Sequence, residues 1–202
     1  MVALAPIRDV SSIPVDRLKR FTAEEYNRLT AIGAFTTDDR MELLEGYLVD
    51  KMPHYPLHAT SLGLLEEVLK ELLTKPWMFR TQRPIELSGD SVPEPDLVII
   101  KGPQRKYFDR HPCAAEVAIV VEVSESTPAI DRGLKRELYA SDRIPEYWIV
   151  NLIDRAVEVY AKPKGGKTPG YRQMKSFGDG DSVPLRIGAT EFGVIAVSEL
   201  LP

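Results

Sequence analysis

The chain has 202 residues, 44% of them hydrophobic and 28% charged, the balance of one globular domain with a sizeable core. Its formal net charge of −4 argues against a surface coated in positive charge for tight, non-specific binding of nucleic acid. The single cysteine, Cys113, excludes an intramolecular disulfide and every cysteine-rich zinc pattern, and suits a reducing cytosol. No run approaches the roughly 18 apolar residues of a membrane helix, and the apolar start "MVALAPIRDVSS" meets an arginine at position 8, too soon for a signal-peptide core. The expectation is a cytoplasmic protein: an N-terminal arm over 1–20, then a single domain over 21–202.

"FTAEEYNRLTAIG" (21–33) reads as a short helix: Thr22 caps it, Glu25 completes a capping box, and Gly33 can end it. "RMELLEGYLVDKMP" (40–53) reads as a hairpin turning at Glu45-Gly46. "PLHATSLGLLEEVLKELLTK" (56–75) is the clearest helix, with Leu62, Leu65, Leu69, Leu72 and Leu73 at helical spacing. "WMFRTQRPIELS" (77–88) reads as a strand bent near Pro84, and "PDLVIIK" (95–101) and "EVAIVVEVS" (116–124) as core strands. "PAIDRGLKRELYASD" (128–142) reads as a helix capped by Thr127, with Pro128 at its first position. "EYWIVNL" and "RAVEVYAK" form a hairpin around Ile153-Asp154, "GYRQMKSF" and "SVPLRIG" are edge strands, and "VSELLP" is a closing turn. The order of elements predicts an α/β (α+β) sheet with few helices rather than regular βαβ alternation.

One residue resists an ordinary explanation. Glu122 lies inside the most apolar strand, where an isolated charge is very costly, so it must be paired, hydrogen-bonded, protonated or bound to a cation. Asp96 opens the preceding core strand. If the two strands are neighbours, the carboxylates converge near a sheet end and repel unless a cation lies between them. Such an oxygen-rich site suits Mg²⁺ or Mn²⁺, with the Val123 carbonyl as a further ligand.

On the next helix, Ile130, Leu134 and Leu138 form an apolar row, flanked by Asp131, Lys135 and Tyr139. That places Lys135 at the rim of the buried face, from where its stem can bring the ammonium to the acids. Two acids, a metal and a lysine suit phosphodiester hydrolysis. Each residue alone also has a plainer reading: Asp96 as a turn residue, Lys135 in a surface pair with Asp131, Glu122 in a structural pair with an arginine. Tyr139 can bond a phosphate or a ligating acid, or simply pack. Gln82 can face the site or be an ordinary sheet residue. Tyr147 and Trp148 read as packing or interface aromatics.

The string "PEPDLVII…VAIVVEVSESTPAIDRGLKRELYASDRIPEYWIVNLIDRAVEVY" resembles the Uma2 family, also called DUF820. "RMELLEGYLV" resembles that family's early hairpin, and "PHYPLHAT" its histidine-bearing lead into the long helix. The resemblance implies a PD-(D/E)xK, restriction-endonuclease-like fold: a mixed central sheet flanked by helices, with additional β-hairpins. It implies that Asp96 and Glu122 bind the metal. The pattern's lysine position is Ser124 here, so Lys135 in "DRGLK" is the match for a lysine supplied from the following helix. It further implies Glu42 as an extra carboxylate and His58 as a residue touching metal or phosphate.

The resulting expectation is a Mg²⁺- or Mn²⁺-dependent nuclease acting on nucleic acid, DNA first, and working as a homodimer. Two alternatives stay open. One is a non-catalytic module that binds nucleic acid or protein through the basic stretches 101–110 and 161–175. The other is a structural protein whose acids pair with arginines.

Overall fold

The computed structural model describes residues 13–35, 39–51, 55–125 and 128–202. Its centre is the apolar run that holds Glu122. β1 (Met41–Leu44) and β2 (Tyr47–Asp50) form the front hairpin, and β3 (Trp77–Thr81), β4 (Leu97–Lys101) and β5 (Val117–Ser124) follow. β6 (Glu146–Asn151), β7 (Ala156–Lys164) and β8 (Gly170–Gly178) complete a six-stranded sheet in the spatial order β3-β4-β5-β6-β7-β8. Every residue of β5 is buried, which is why that strand carries no alternation of polar and apolar residues. β5 and β6 run parallel and all other neighbours antiparallel. A parallel pair needs a crossover, supplied here by α3 (Pro128–Ile130), a π-helical turn (Asp131–Lys135) and α4 (Arg136–Ser141).

The two sheet faces bury separate cores. On one, α2 (Pro56–Leu72) lays Leu62, Leu65 and Leu69 against Leu97, Ile99, Ile119 and Val121. The C-terminal hairpin, β9 (Ser182–Ile187) with β10 (Thr190–Ala196), adds Val183, Leu185 and Ile195 to that face. On the other face, Leu138 and Tyr139 of α4 pack with Ile85, Tyr107, Val98, Val120 and Ile149. A small third cluster of Tyr26, Leu43 and Val92 joins α1 (Ala23–Ala31) to the front hairpin.

Local chemistry places the hairpin. Thr22 and Glu25 form the reciprocal capping box that starts α1. Glu45 and Gly46 both take positive φ, 51° and 80°, as a tight two-residue turn demands. A Cβ at Gly46 would lie 3.0 Å from both Arg20 Cβ and the Phe21 carbonyl oxygen, so glycine is required there. Leu43 and Val92 exchange backbone hydrogen bonds, which tie the hairpin to the segment leading into Asp96.

The structure corrects the sequence reading in four places. The strand expected over 77–88 stops at Thr81, because Gln82 turns to a φ of 48° and donates its amide to the Asp96 carbonyl. β9 is not an edge of the main sheet but half of a separate hairpin, and its partner β10 was not foreseen. The helix expected over 128–142 is interrupted at Gly133, whose φ of −102° and ψ of −105° are not helical. Its faces are exchanged in part as well: Ile130 and Leu134 are exposed and Leu138 alone of that row is buried, whereas Asp131, Lys135 and Tyr139 are all buried. The expected cap Thr127 and residues 1–12 of the arm lie outside the described residues. Residues 13–20 are mostly exposed and touch the hairpin through Tyr47 Oη to the Val15 carbonyl and Arg20 Nε to the Glu45 carbonyl.

Candidate active site

Period-two alternation puts Glu122 on the same sheet face as Val120, under the crossover helix. There Lys135 Nζ lies 3.0 Å from Glu122 Oε1, and Tyr139 Oη donates to the same oxygen at 2.9 Å. Lys135 and Tyr139 are one helical turn apart, so the row expected at the rim supplies the two residues that grip Glu122. Lys135 Nζ also lies 3.2 Å from Glu42 Oε1 on the front hairpin. The other oxygen of Glu42 accepts the Glu94 amide at 3.0 Å.

Asp96 stands just before β4. Its Oδ2 lies 3.0 Å from His58 Nε2 and accepts the Val123 amide at 2.9 Å. Val123 therefore faces Asp96 beyond the end of β4, and its carbonyl shares that strand edge. His58 belongs to the first turn of α2 and does not cap it; its ring orients Asp96. Gln82 follows β3, and its side chain lines a cleft of about 780 Å³ between α1, the front hairpin and α2. The cleft is also lined by Arg40, Lys51, Glu94 and His111.

The structure thus brings Glu42, Asp96, Glu122, Lys135 and Tyr139 into one connected cluster with His58. It adds an acid that the sequence reading offered only as a surface partner of Lys135. Asp131 is buried, and its charge acts on both Lys135 and Glu122. Its place four residues before Lys135 was the available signal. Ser124, at the usual lysine position, is buried at the end of β5. Tyr147 and Trp148 are core residues on opposite sheet faces.

The protonation pattern follows from this crowding. Burial pushes the Glu122 carboxyl up to about 8; Lys135 opposes the rise, and the charges of Asp96, Asp131 and Glu42 add to it. Burial likewise raises Asp131, again against Lys135. Burial would raise Asp96 too, but the His58 contact and the Val123 amide hold it below its ordinary value. For Lys135, burial favours the neutral amine, yet Glu122, Glu42 and Asp131 keep it charged well above its usual range. One ammonium is outnumbered by the acids around it.

Among the described residues no group of three or more His, Cys, Asp or Glu side chains is arranged as a metal site. The donor chemistry nevertheless fits a hard divalent cation, which takes one or two carboxylates and fills the remaining positions with water and phosphate. Asp96 uses only Oδ2 and Glu122 only Oε1 in hydrogen bonds among the described residues, leaving Asp96 Oδ1 and Glu122 Oε2 for a ligand. The Val123 carbonyl lies on the strand edge beside Asp96.

A mixed sheet with one crossover, and acids gathered where β4 begins and β5 ends, define a chain of the restriction-endonuclease-like fold class. The sequence matches the Uma2 family, described as "Putative restriction endonuclease", over residues 23–197, and the chain belongs to that family. The fold is similar to the crystal structure of a "putative nuclease belonging to DUF820" from Anabaena variabilis, with a TM-score of 0.64 and 14% identity. That similarity covers 89% of this chain and 97% of the other. No curated relative matches the sequence.

Proposed function

We propose that the chain is a divalent-metal-dependent nuclease that hydrolyses phosphodiester bonds of nucleic acid, DNA first, with Asp96 and Glu122 as the metal-binding acids. The observation that carries this reading is Lys135: it crosses from the helix to within 3.0 Å of Glu122, while the strand carries Ser124 at the position where the family pattern has its lysine. Mg²⁺ or Mn²⁺ bound at these acids would polarise a phosphoryl oxygen and acidify a water.

The protein's own groups divide the remaining work. Lys135, charged at any ordinary pH, cannot be the base that takes the proton from water; it stabilises charge that develops on phosphate and orients the water. Glu122 must shed its proton before it can ligate a cation; its raised pKa opposes this at neutrality, so cation binding has to drive the proton off. Tyr139 and Lys135 fix its rotamer, while His58 and the Val123 amide fix that of Asp96. Glu42 is a positioning residue that holds Lys135 from the hairpin side. The reading includes a homodimer, which sedimentation of the full chain checks.

The test is Mn²⁺ titration by calorimetry, with and without a DNA oligonucleotide, alongside a cleavage assay on wild type and Asp96→Asn. The nuclease reading expects Mn²⁺ binding and Mn²⁺-dependent cleavage, both lost in the variant. Cleavage that survives in Asp96→Asn sinks the site assignment. Salt-dependent DNA binding with no cleavage in the wild type would instead favour a binding module, the reading that Ser124 and the net charge of −4 support.

A further inference from the structure

Arg80 stands apart among the buried polar groups. It lies on β3, paired with Val98, which pairs in turn with Val120 of β5. Alternation then puts Arg80 on the same sheet face as Glu122, two strands across and one side-chain row along. With strands about 4.8 Å apart and a rise of about 3.4 Å per residue, the two backbone positions are separated by about 12 Å.

Its guanidinium is held over the Tyr107 ring, 5.9 Å from the centroid. Its Nε and Nη1 atoms are buried, and neither has a hydrogen-bond partner among the described residues. Buried guanidinium N–H groups are costly to leave unsatisfied, so an unfilled pair of donors points to a ligand with acceptor oxygens. The neighbours strengthen this. Lys106 and Arg110 share the same tyrosine ring, at 5.6 Å and 5.2 Å, but Glu116 engages both, at 2.6 Å and 2.7 Å. Among the described residues Arg80 has no such carboxylate. Burial and the like charge of Arg83 both disfavour its charged state. His111, which lines the cleft together with Gln82, lies within the field of Arg80. Arg80 and Arg83 thus bring two like charges together two strands from the acids, in a chain whose net charge is −4.

We propose that Arg80, with Arg83 beside it, is an anchor for a backbone phosphate of the nucleic-acid strand, flanking the phosphate that lies at Asp96 and Glu122. This rests on the nuclease reading for its choice of ligand. With the two backbone positions about 12 Å apart, the anchor is assigned to a neighbouring phosphate of the same strand rather than to the one at the acids. Charge-assisted N–H···O bonds from a guanidinium to phosphate oxygens are among the strong hydrogen bonds. Backbone contacts of this kind set register and carry no base preference.

The experiment is fluorescence anisotropy with a labelled DNA oligonucleotide across a salt series in EDTA, so that binding is read without cleavage. Arg80→Gln should weaken binding roughly tenfold at low salt, equally for unrelated sequences, and lower the slope of log K against log salt by about one. Arg83→Gln, at an exposed position that cannot disturb the core, should shift affinity in the same direction by less. Lys70→Gln, on the exposed face of α2, should change nothing. Melting temperatures close to wild type establish that the variants are folded.

Wild-type affinity and slope in both arginine variants would overturn the inference, as would a wild type that binds no oligonucleotide. Inorganic phosphate is the second arm. If it stabilises the wild type but not Arg80→Gln while no oligonucleotide binds, the site takes a free anion and the strand assignment falls. The two readings fail separately. Arg80-dependent binding without Mn²⁺-dependent cleavage removes the nuclease and keeps the anchor; cleavage with no dependence of binding on Arg80 does the reverse.

Discussion

Glu122 and Glu158 occupy one row of the same sheet face, with Ile149 between them in register, and each is 4% exposed. Their surroundings differ. Glu158 receives Arg132 Nε on both oxygens, at 3.0 Å and 3.1 Å, and the Tyr160 hydroxyl at 2.6 Å, with Asn151 at 3.4 Å. Arg132, itself 40% exposed on its side chain, covers Glu158 from the solvent side. Burial would raise Glu158, but Arg132, Tyr160 and Asn151 together hold it below its ordinary value. Glu122 has one lysine to share with Glu42 and lies near Asp96 and Asp131, so it is raised. A buried glutamate is thus not in itself a sign of function. An acid whose compensation is incomplete, beside others in the same condition, is the sign.

The contrast can be broken at its strongest point by removing the lysine. Lys135→Ala leaves several buried carboxylates without their counter-charge and should cost about 3–5 kcal/mol at neutral pH. Urea unfolding checks this, and a loss below about 1 kcal/mol would mean the acids are far better solvated than their burial implies.

Exchanging charge for amide at the two glutamates sharpens it. Glu122→Gln should lower Mn²⁺-dependent cleavage by more than about 100-fold, since supporting residues around a metal already matter by 10–100-fold. Its stability should stay close to wild type, because it removes a carboxylate that folding disfavours. Glu158→Gln should keep most of the activity and instead lose about 1–3 kcal/mol, the cost of a broken buried network. If both variants lose activity alike, the distinction between the two regions is wrong.

Titration reads the same difference with a smaller effect. The folded-state pKa of Glu122 is raised, so its contribution to stability is present below about pH 4.5 and is lost as pH rises through about 8. Thermal melts of the metal-free wild type, compared with Glu122→Gln, should therefore fall progressively across that window. Glu158 has the opposite sign: its contribution is present above about pH 4.5 and is lost as pH falls through its lower folded value. Cation binding should release protons between those pH limits, and calorimetry in buffers of different ionisation enthalpy measures this. The smallest expected effect is far from both glutamates: Thr22→Ala should cost about 1 kcal/mol through the lost helix cap and leave the pH profile unchanged.

Much of the molecule was legible in the chain. The capping box, the Glu45-Gly46 turn, the leucine row of α2 and the apolar runs of β4 and β5 are local patterns, set by periods of 3.6 and 2 and by a few residues with special backbone needs. So was the anomaly of Glu122, because an acid in an apolar strand is visible without coordinates. Tertiary structure decided the rest. Local periodicity ranked Ile130, Leu134 and Leu138 as the buried row, yet the electrostatic demand of Glu122 and Glu42 turns Lys135 inward. A π-helical turn with a non-helical Gly133 lies where the faces are exchanged. The sequence determined that Glu122 needs a partner, since that follows from the polarity of its own segment. Only packing across strands, hairpin and helix could decide that Glu158 gains an arginine while Glu122 must share a lysine, because ion pairing depends on distances between residues far apart in the chain.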